Sequence, residues 1–351
     1  MVQIKGLPHT RAGNLHRLVV YYLTTIKIHI MKTNFNIFIT KFCLSILAAF
    51  SCLTTAGQNM GMAKMESKIQ SIDTTLIEKI TGVKGKANNG EYKITIPQND
   101  LNVRVDGFKI IPAMGLGTWL AFTPAPGGVM MMGDLVLTEN DLKPVQQEVI
   151  KQGLTITAIH NHFVRNHPNI MYMHVDGTGS TEAMATKANA ILSKITELRK
   201  KNPSSGKASA EAVVNTLETK KLDEILGYTG EMSKGVYKYT IGRKDVKLTE
   251  HGVPVSTFLG FNTWAAFQGT PVKAAVAGDF AMLKEEVEPV IKALVQNGIE
   301  VVAVHNHMVQ EEPRIVFLHY WGIGNAEQLA KGLKEALDQT GKTVVGKMNM
   351  N

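Results

Sequence analysis

Cysteine is nearly absent from this chain of 351 residues: the two present, Cys43 and Cys52, both lie within the first 56. A mature chain starting at residue 57 would carry no thiol, which excludes a disulfide scaffold and a cysteine nucleophile. Acidic residues are missing from the same stretch, where Lys5, Arg11, Arg17, Lys27, Lys32 and Lys41 stand unopposed. Taking those six from the chain's 38 basic residues leaves 32 against 30 acidic ones, so the formal +8 becomes +2. A body so nearly neutral has no electrostatic footprint for phosphate backbones, and no nucleic-acid partner is expected. Charge is also scarce overall at 19%, but 44% hydrophobic composition fits folded cores rather than disorder. The chain lacks a Gly-rich phosphate loop, a serine elbow and a paired-carboxylate glycosidase motif, so no nucleotide cofactor is expected.

The first 56 residues have the pattern of an export leader. After Met31, Lys32 and Lys41 precede the apolar run Phe42–Leu53, and Thr54 and Ala56 occupy the −3 and −1 positions of a cleavage site. That run is shorter than the roughly 20 residues of a bilayer span. The expectation is an exported protein, periplasmic or envelope-associated, with translation starting at Met31. A lipid on Cys52, which comes after Ala49-Phe50-Ser51, is the rival fate and the one expected route to a membrane surface.

The body of the chain is one domain written twice. Residues 77–192 align with 222–337 at a constant offset of 145 without a gap. Gly-Glu-Tyr-Lys-Ile-Thr-Ile at 90–96 returns as Gly-Val-Tyr-Lys-Tyr-Thr-Ile at 235–241, and Ala-Ile-His-Asn-His at 158–162 as Ala-Val-His-Asn-His at 303–307. Trp119, Phe122, Asp134 and His174 recur as Trp264, Phe267, Asp279 and His319. The expected organisation is a leader (1–56), a spacer (57–71), a first repeat (72–200), a linker (201–209) and a second repeat (210–345). The repeats are expected to pack about a pseudo-two-fold axis.

Periodicity predicts helices at 72–81, 139–152 and 181–200, with strands at 92–96, 102–105, 118–123, 129–137, 154–162 and 170–175. Each repeat is therefore expected to be α+β, a mainly antiparallel sheet with helices packed on one face.

Six of the eight histidines beyond residue 56 belong to the duplicated set: His160, His162, His174, His305, His307 and His319. Residues two apart on a strand share a face, about 6.6 Å apart. A hairpin centred on residue 167 would place His174 opposite His160, and a one-residue slip would send it to the other face. Three imidazoles on one face suit a zinc-like ion with an open position, one site per copy. The plainer alternative is a set of histidines that hydrogen-bond to backbone and fix the hairpin. Contiguous His-Asn-His is unlike the dispersed residues of HNH nucleases. Glu182 and Glu327, in the first turn of the helix after Gly-x-Gly, are the candidates for a base; a helix-start role is their simpler explanation. Asp134 and Asp279 are expected as turn caps. Trp119 and Trp264 are expected as core, with a sugar platform as the alternative.

The pattern A-[IV]-H-N-H, then P-x-I-x-[FYM]-[LM]-H, then G-x-G resembles the LppY/LpqO lipoprotein family of bacterial exported proteins, over nearly all of residues 72–340. The resemblance implies an envelope location and two copies, and it carries over no catalytic residue. The sequence supports three functions: a protein binding a metal or small polar ligand through the clusters, a metal-dependent hydrolase using them, and a structural envelope protein.

Overall fold

A computed structural model describes residues 71–203 and 213–341. The leader, nearly all of the spacer and most of the linker lie outside the described residues. The first copy runs α1 (Thr74–Thr81), β1 (Gly85–Asn88), β2 (Glu91–Pro97), β3 (Arg104–Val105), β4 (Phe108–Lys109), β5 (Gly117–Ala125) and β6 (Gly128–Thr138). It continues through α2 (Glu139–Lys151), β7 (Thr155–His160), β8 (Asn166–His167), β9 (Ile170–Gly179) and α3 (Thr181–Lys201). The second repeats that order as α4 (Thr219–Leu226), β10 (Glu231–Ser233), β11 (Val236–Gly242), β12 (Thr249–Glu250), β13 (Val253–Pro254), β14 (Asn262–Gly269) and β15 (Ala274–Met282). Then come α5 (Val287–Gln296), β16 (Glu300–His305), β17 (Glu311–Glu312), β18 (Val316–Gly324) and α6 (Ala326–Leu337).

Local chemistry sets the element ends. The Asp73 carboxylate accepts from the Leu76 N–H at 2.9 Å and opens α1. Gly82, at φ 69°, closes it in the left-handed conformation that other residues adopt at a cost. At α2, Thr138 and Asp141 form a capping box.

Each copy builds a six-stranded antiparallel sheet, β1-β2-β5-β6-β9-β7 and β10-β11-β14-β15-β18-β16. Short three-stranded sheets, β4-β3-β8 and β13-β12-β17, lie beside them. Strand alternation gives every main sheet two apolar faces. One face, with Leu120, Phe122, Met131, Leu135, Met173 and Val175, packs against Val145, Val149, Ala185, Ala188 and Ile191 of the helices. Burial contributes roughly 1.5–3 kcal/mol for each large apolar side chain fully removed from water.

The opposite faces meet the other copy, and they do so reciprocally. Leu101, Ile110, Met114, Phe163 and Tyr172 of the first copy pack with Ala266, Ala275, Ala277 and Trp321 of the second. Leu248, Val255, Leu259, Met308 and Phe317 of the second pack with Ala121, Met130 and Met132 of the first. Where the first copy presents Met130 and Met132, the second presents the smaller Ala275 and Ala277, which leaves room for Phe163 and Trp321. Among the described residues, no helix is long and apolar enough to cross a membrane.

Candidate metal centre

The histidines sit where the two sheets face each other. His160 ends β7 and His305 ends β16, with His162 and His307 two residues further on in the loops beyond. His174 and His319 lie within β9 and β18, directly opposite Asp134 on β6 and Asp279 on β15.

A β-bulge decides which way His160 points. Ile156 pairs with Val175, but the next pair is Ala158 with His174, so Thr157 is the extra residue. Without the bulge His160 would oppose Met171 and face the helices; with it His160 opposes Tyr172 and shares the face of His174. The same irregularity between Val301 and Ala303 turns His305 toward His319. The hairpin is thus centred on residue 166, not 167. His174 lies diagonal to His160 instead of opposite it, and the shared face is kept.

The expected pair of separate three-histidine sites is instead one cluster shared by both copies. The His160 and His305 rings stack at 3.9 Å between centroids, His162 and His319 approach to 3.8 Å, and His174 and His307 to 4.0 Å. Within each copy the spacing is wider: 4.9 Å for His160–His174, 4.7 Å for His305–His319, 5.3 Å for His160–His162 and 5.1 Å for His305–His307. Three sets bring ligand atoms within 4.8 Å of one another: Asp279-His305-His307-His319, His160-His174-His305 and His160-His162-His319. Two of the three mix residues from both copies.

Asp134 and Asp279 are buried strand residues, not the turn caps expected. Asp279 Oδ1 accepts from the Leu318 N–H at 3.0 Å, and its Oδ2 lies 3.3 Å from His307 Nε2. Asp134 Oδ2 lies 3.7 Å from His162 Nε2. Burial, then the charge of Asp279, pushes the Asp134 carboxyl up to about 8, and burial pushes Asp279 up to about 6. Burial also drives His160, His162, His174, His305 and His307 well below the ordinary imidazole value and His319 down to about 4. At neutral pH the centre therefore holds six uncharged imidazoles.

The residues fit a metal ion. His319 Nδ1 lies 3.0 Å from the Gly278 carbonyl, which places the proton on Nδ1 and leaves the Nε2 lone pair free. The Gly133 carbonyl plays the same part for His174. Nε2 of His174, His307 and His319, and both nitrogens of His305, are buried without a hydrogen-bond partner, as is Asp134 Oδ1. Unpartnered buried polar atoms are costly, and a cation among them would accept the lone pairs and draw both carboxyls toward their ionised forms.

Around the cluster opens a cavity of about 650 Å³ lined by both copies in matching positions: Lys93 and Lys238, Trp119 and Trp264, Asp134 and Asp279. The tryptophans are only partly buried and line this cavity, where core packing was expected. Each also reaches across to the other copy, since a Cβ on Gly115 would stand 3.1 Å from the Trp264 ring and one on Gly260 would stand 3.3 Å from Trp119. Both glycines have positive φ, 95° and 109°. Phe122 and Phe267 are fully buried on the helix side, as expected.

Glu182 and Glu327 do not reach the cavity. Both stand in the first turns of α3 and α6, whose buried residues pack on the opposite face of each sheet; Glu182 is exposed and Glu327 pairs with Lys221 at 2.5 Å. The Gly-x-Gly segments belong to strands β9 and β18. A Cβ on Gly177 would lie 2.4 Å from Leu154, so close packing accounts for that glycine.

Of the described histidines, the two without a duplicate stand apart from the cluster. His167 is exposed on β8. His251 meets Asp176 at 3.2 Å and Glu250 at 3.7 Å, a further group with metal-ligand spacing. At the offset positions Trp321 Nε1 donates to Asp106 at 3.0 Å instead. Tyr172, whose ring stacks on His162 at 3.3 Å, has a buried hydroxyl without a hydrogen-bond partner; Phe317 holds the matching place against His307.

Neither the paired lysines nor the role of the two aspartates was apparent from the sequence. Asp134 could have been found from strand pairing, since its copy recurs at the same distance from the histidine of the next strand.

No curated protein matches the chain. A solved structure, EtuB from Clostridium kluyveri, aligns over 74% of this chain and 90% of that one, at 7% identity and a TM-score of 0.17, too slight a likeness to bear on fold or function. A family model described as Domain of Unknown Function (DUF1259) matches twice, at residues 75–194 and 220–339, more than half of the chain. The chain belongs to that family and carries two copies of its domain.

Proposed function

We propose that this chain is an exported envelope protein that binds a divalent transition-metal ion, zinc by its ligand chemistry, in the centre shared by its two copies. One observation carries the reading: six uncharged imidazoles, four of them buried and those of His305 and His307 partly so, converge with buried lone pairs that no described residue uses. Imidazole and carboxylate donors suit zinc and its neighbours better than calcium or magnesium, which favour all-oxygen sites. The test is elemental analysis of purified protein after zinc loading and desalting. Retention of about one equivalent or more, with a melting temperature that rises with zinc, supports the reading. Fewer than about 0.2 equivalents of any transition metal, with unmoved melting in zinc, nickel or copper, would leave a structural cluster.

The envelope location rests on the leader pattern to Ala56 and on the resemblance to the LppY/LpqO lipoproteins. Intact mass after periplasmic expression should give an N-terminus near Gly57. A species keeping the leader would contradict export by cleavage, and a lipid at Cys52 would replace the soluble form by a tethered one. The hydrolase alternative with Glu182 or Glu327 as base has no support from their positions.

A further inference from the structure

Lys93 and Lys238 occupy matching places in the cavity that holds the cluster, one from each copy. Lys93 Nζ lies 4.3 Å from the ring centroid of Trp119 and 5.2 Å from that of Phe258; Lys238 Nζ lies 4.4 Å from that of Trp264. Each ammonium thus rests on an aromatic face, which holds the long side chain in place without neutralising its charge. Among the described residues neither lysine forms an ion pair. The acid nearest Lys93 in the strand, Glu91, takes the Ser256 hydroxyl at 2.6 Å instead, and Val236 stands at its offset position. Burial is the main reason both lysines sit near 8 rather than above 10, and for Lys93 the charge of Lys238 adds to it, so the two ammonium groups feel each other across the cavity.

The cavity's acids, Asp134 and Asp279, face the histidines instead, Asp134 3.7 Å from His162 and Asp279 3.3 Å from His307, and among the described residues neither pairs with a lysine. Two fixed positive charges, with hydrogen-bond donors free and aromatic walls beside them, complement negative charge that enters from solution. We propose that the cavity binds a small doubly charged oxyanion, a dicarboxylate or a phosphate, between Lys93 and Lys238 and beside the histidine centre. The site deepens the metal-binding reading by naming the class of ligand the same cavity receives, and it rests on that reading only for the ion's presence next to the anion.

Calorimetric titration of the full chain, zinc-loaded and metal-free, with inorganic phosphate, malonate and acetate tests the proposal, with zinc content measured in parallel. The expected result is binding of phosphate or malonate, and of acetate more weakly. Lys93→Met and Lys238→Met should each weaken it roughly ten- to a hundredfold while Lys93→Arg and Lys238→Arg largely keep it. Circular dichroism and gel filtration identify any variant that fails to fold, and the arginine variants then decide. Lysine-dependent binding in a protein that retains no metal would uphold the anion site and remove the metal reading. Equal binding by the folded Lys93→Met, Lys238→Met double variant, or no binding of either dianion by wild type, would overturn the anion site whatever the zinc content.

Discussion

A neutral imidazole has one nitrogen that donates a proton and one that accepts, and burial removes the water that would serve both. Six such rings in one place, with His305 lacking any hydrogen-bond partner, are a costly arrangement for a protein that needed them only for packing. His160 and His305 each belong to two of the three ligand sets, so either residue replaced by Ala should bring zinc retention below about half of wild type, whereas His167→Ala, at the exposed position of β8, should leave it unchanged. Atomic absorption on the desalted variants checks this. The same burial makes the metal-free protein sensitive to acid. The imidazoles sit below their ordinary value of about 6.5 in the folded chain, so the unfolded chain takes up more protons as pH falls through 6.5 toward 4, and stability is lost there. Asp134 and Asp279 act in the opposite sense, since carboxyls raised on folding favour the folded state as pH falls through 8 and 6. Six groups outweigh two, and each net proton contributes a slope of about 1.4 kcal/mol per pH unit. Thermal melts of metal-free protein should therefore fall steeply between pH 6.5 and 5; a flat profile would mean the rings stay solvated.

At the scale of strands and turns, a single inserted residue in β7 and another in β16 determine what the centre contains. The alternating runs, the capped helices and the hairpin that carries His174 were legible, because period-2 hydrophobicity and turn chemistry are local signals. The bulges at Thr157 and Val302 were not, since neither residue differs from an ordinary strand residue and the irregularity appears only against the partner strand. The parity of the register survived because the true hairpin centre moved His174 by two places, which returns it to the same face. Side-chain size across the copies was also hidden: Met132 and Ala277 occupy matching positions, and only the packed structure shows that Ala277 pairs with Trp321 across β15 and β18. Ala277→Met, which copies the first repeat's residue into the second, should crowd that tryptophan and destabilise the fold by about 1–3 kcal/mol in urea denaturation. The reverse change, Met132→Ala, should cost roughly 2–5 kcal/mol by leaving a cavity.

Across the whole molecule the duplication matters more than either copy alone. An ungapped offset of 145 made two homologous domains plain, and it suggested two equivalent metal sites. The two sheets instead present their histidine faces to each other, so the rings that approach most closely come from different copies. Sequence periodicity describes each sheet face but not what covers it, which is why the sharing was not legible. The outer, helix-covered faces supply two conventional cores, while the inner faces combine apolar packing at their margins with the histidines, aspartates and lysines of the cavity.

Diffraction from crystals of zinc-loaded protein, with anomalous data collected at the zinc edge, tests the shared centre most directly. The predicted result is a peak between the sheets, about 2.0–2.1 Å from imidazole nitrogens contributed by both copies. A peak bound only by one copy's histidines, or zinc confined to the surface with the six rings unligated, would contradict it.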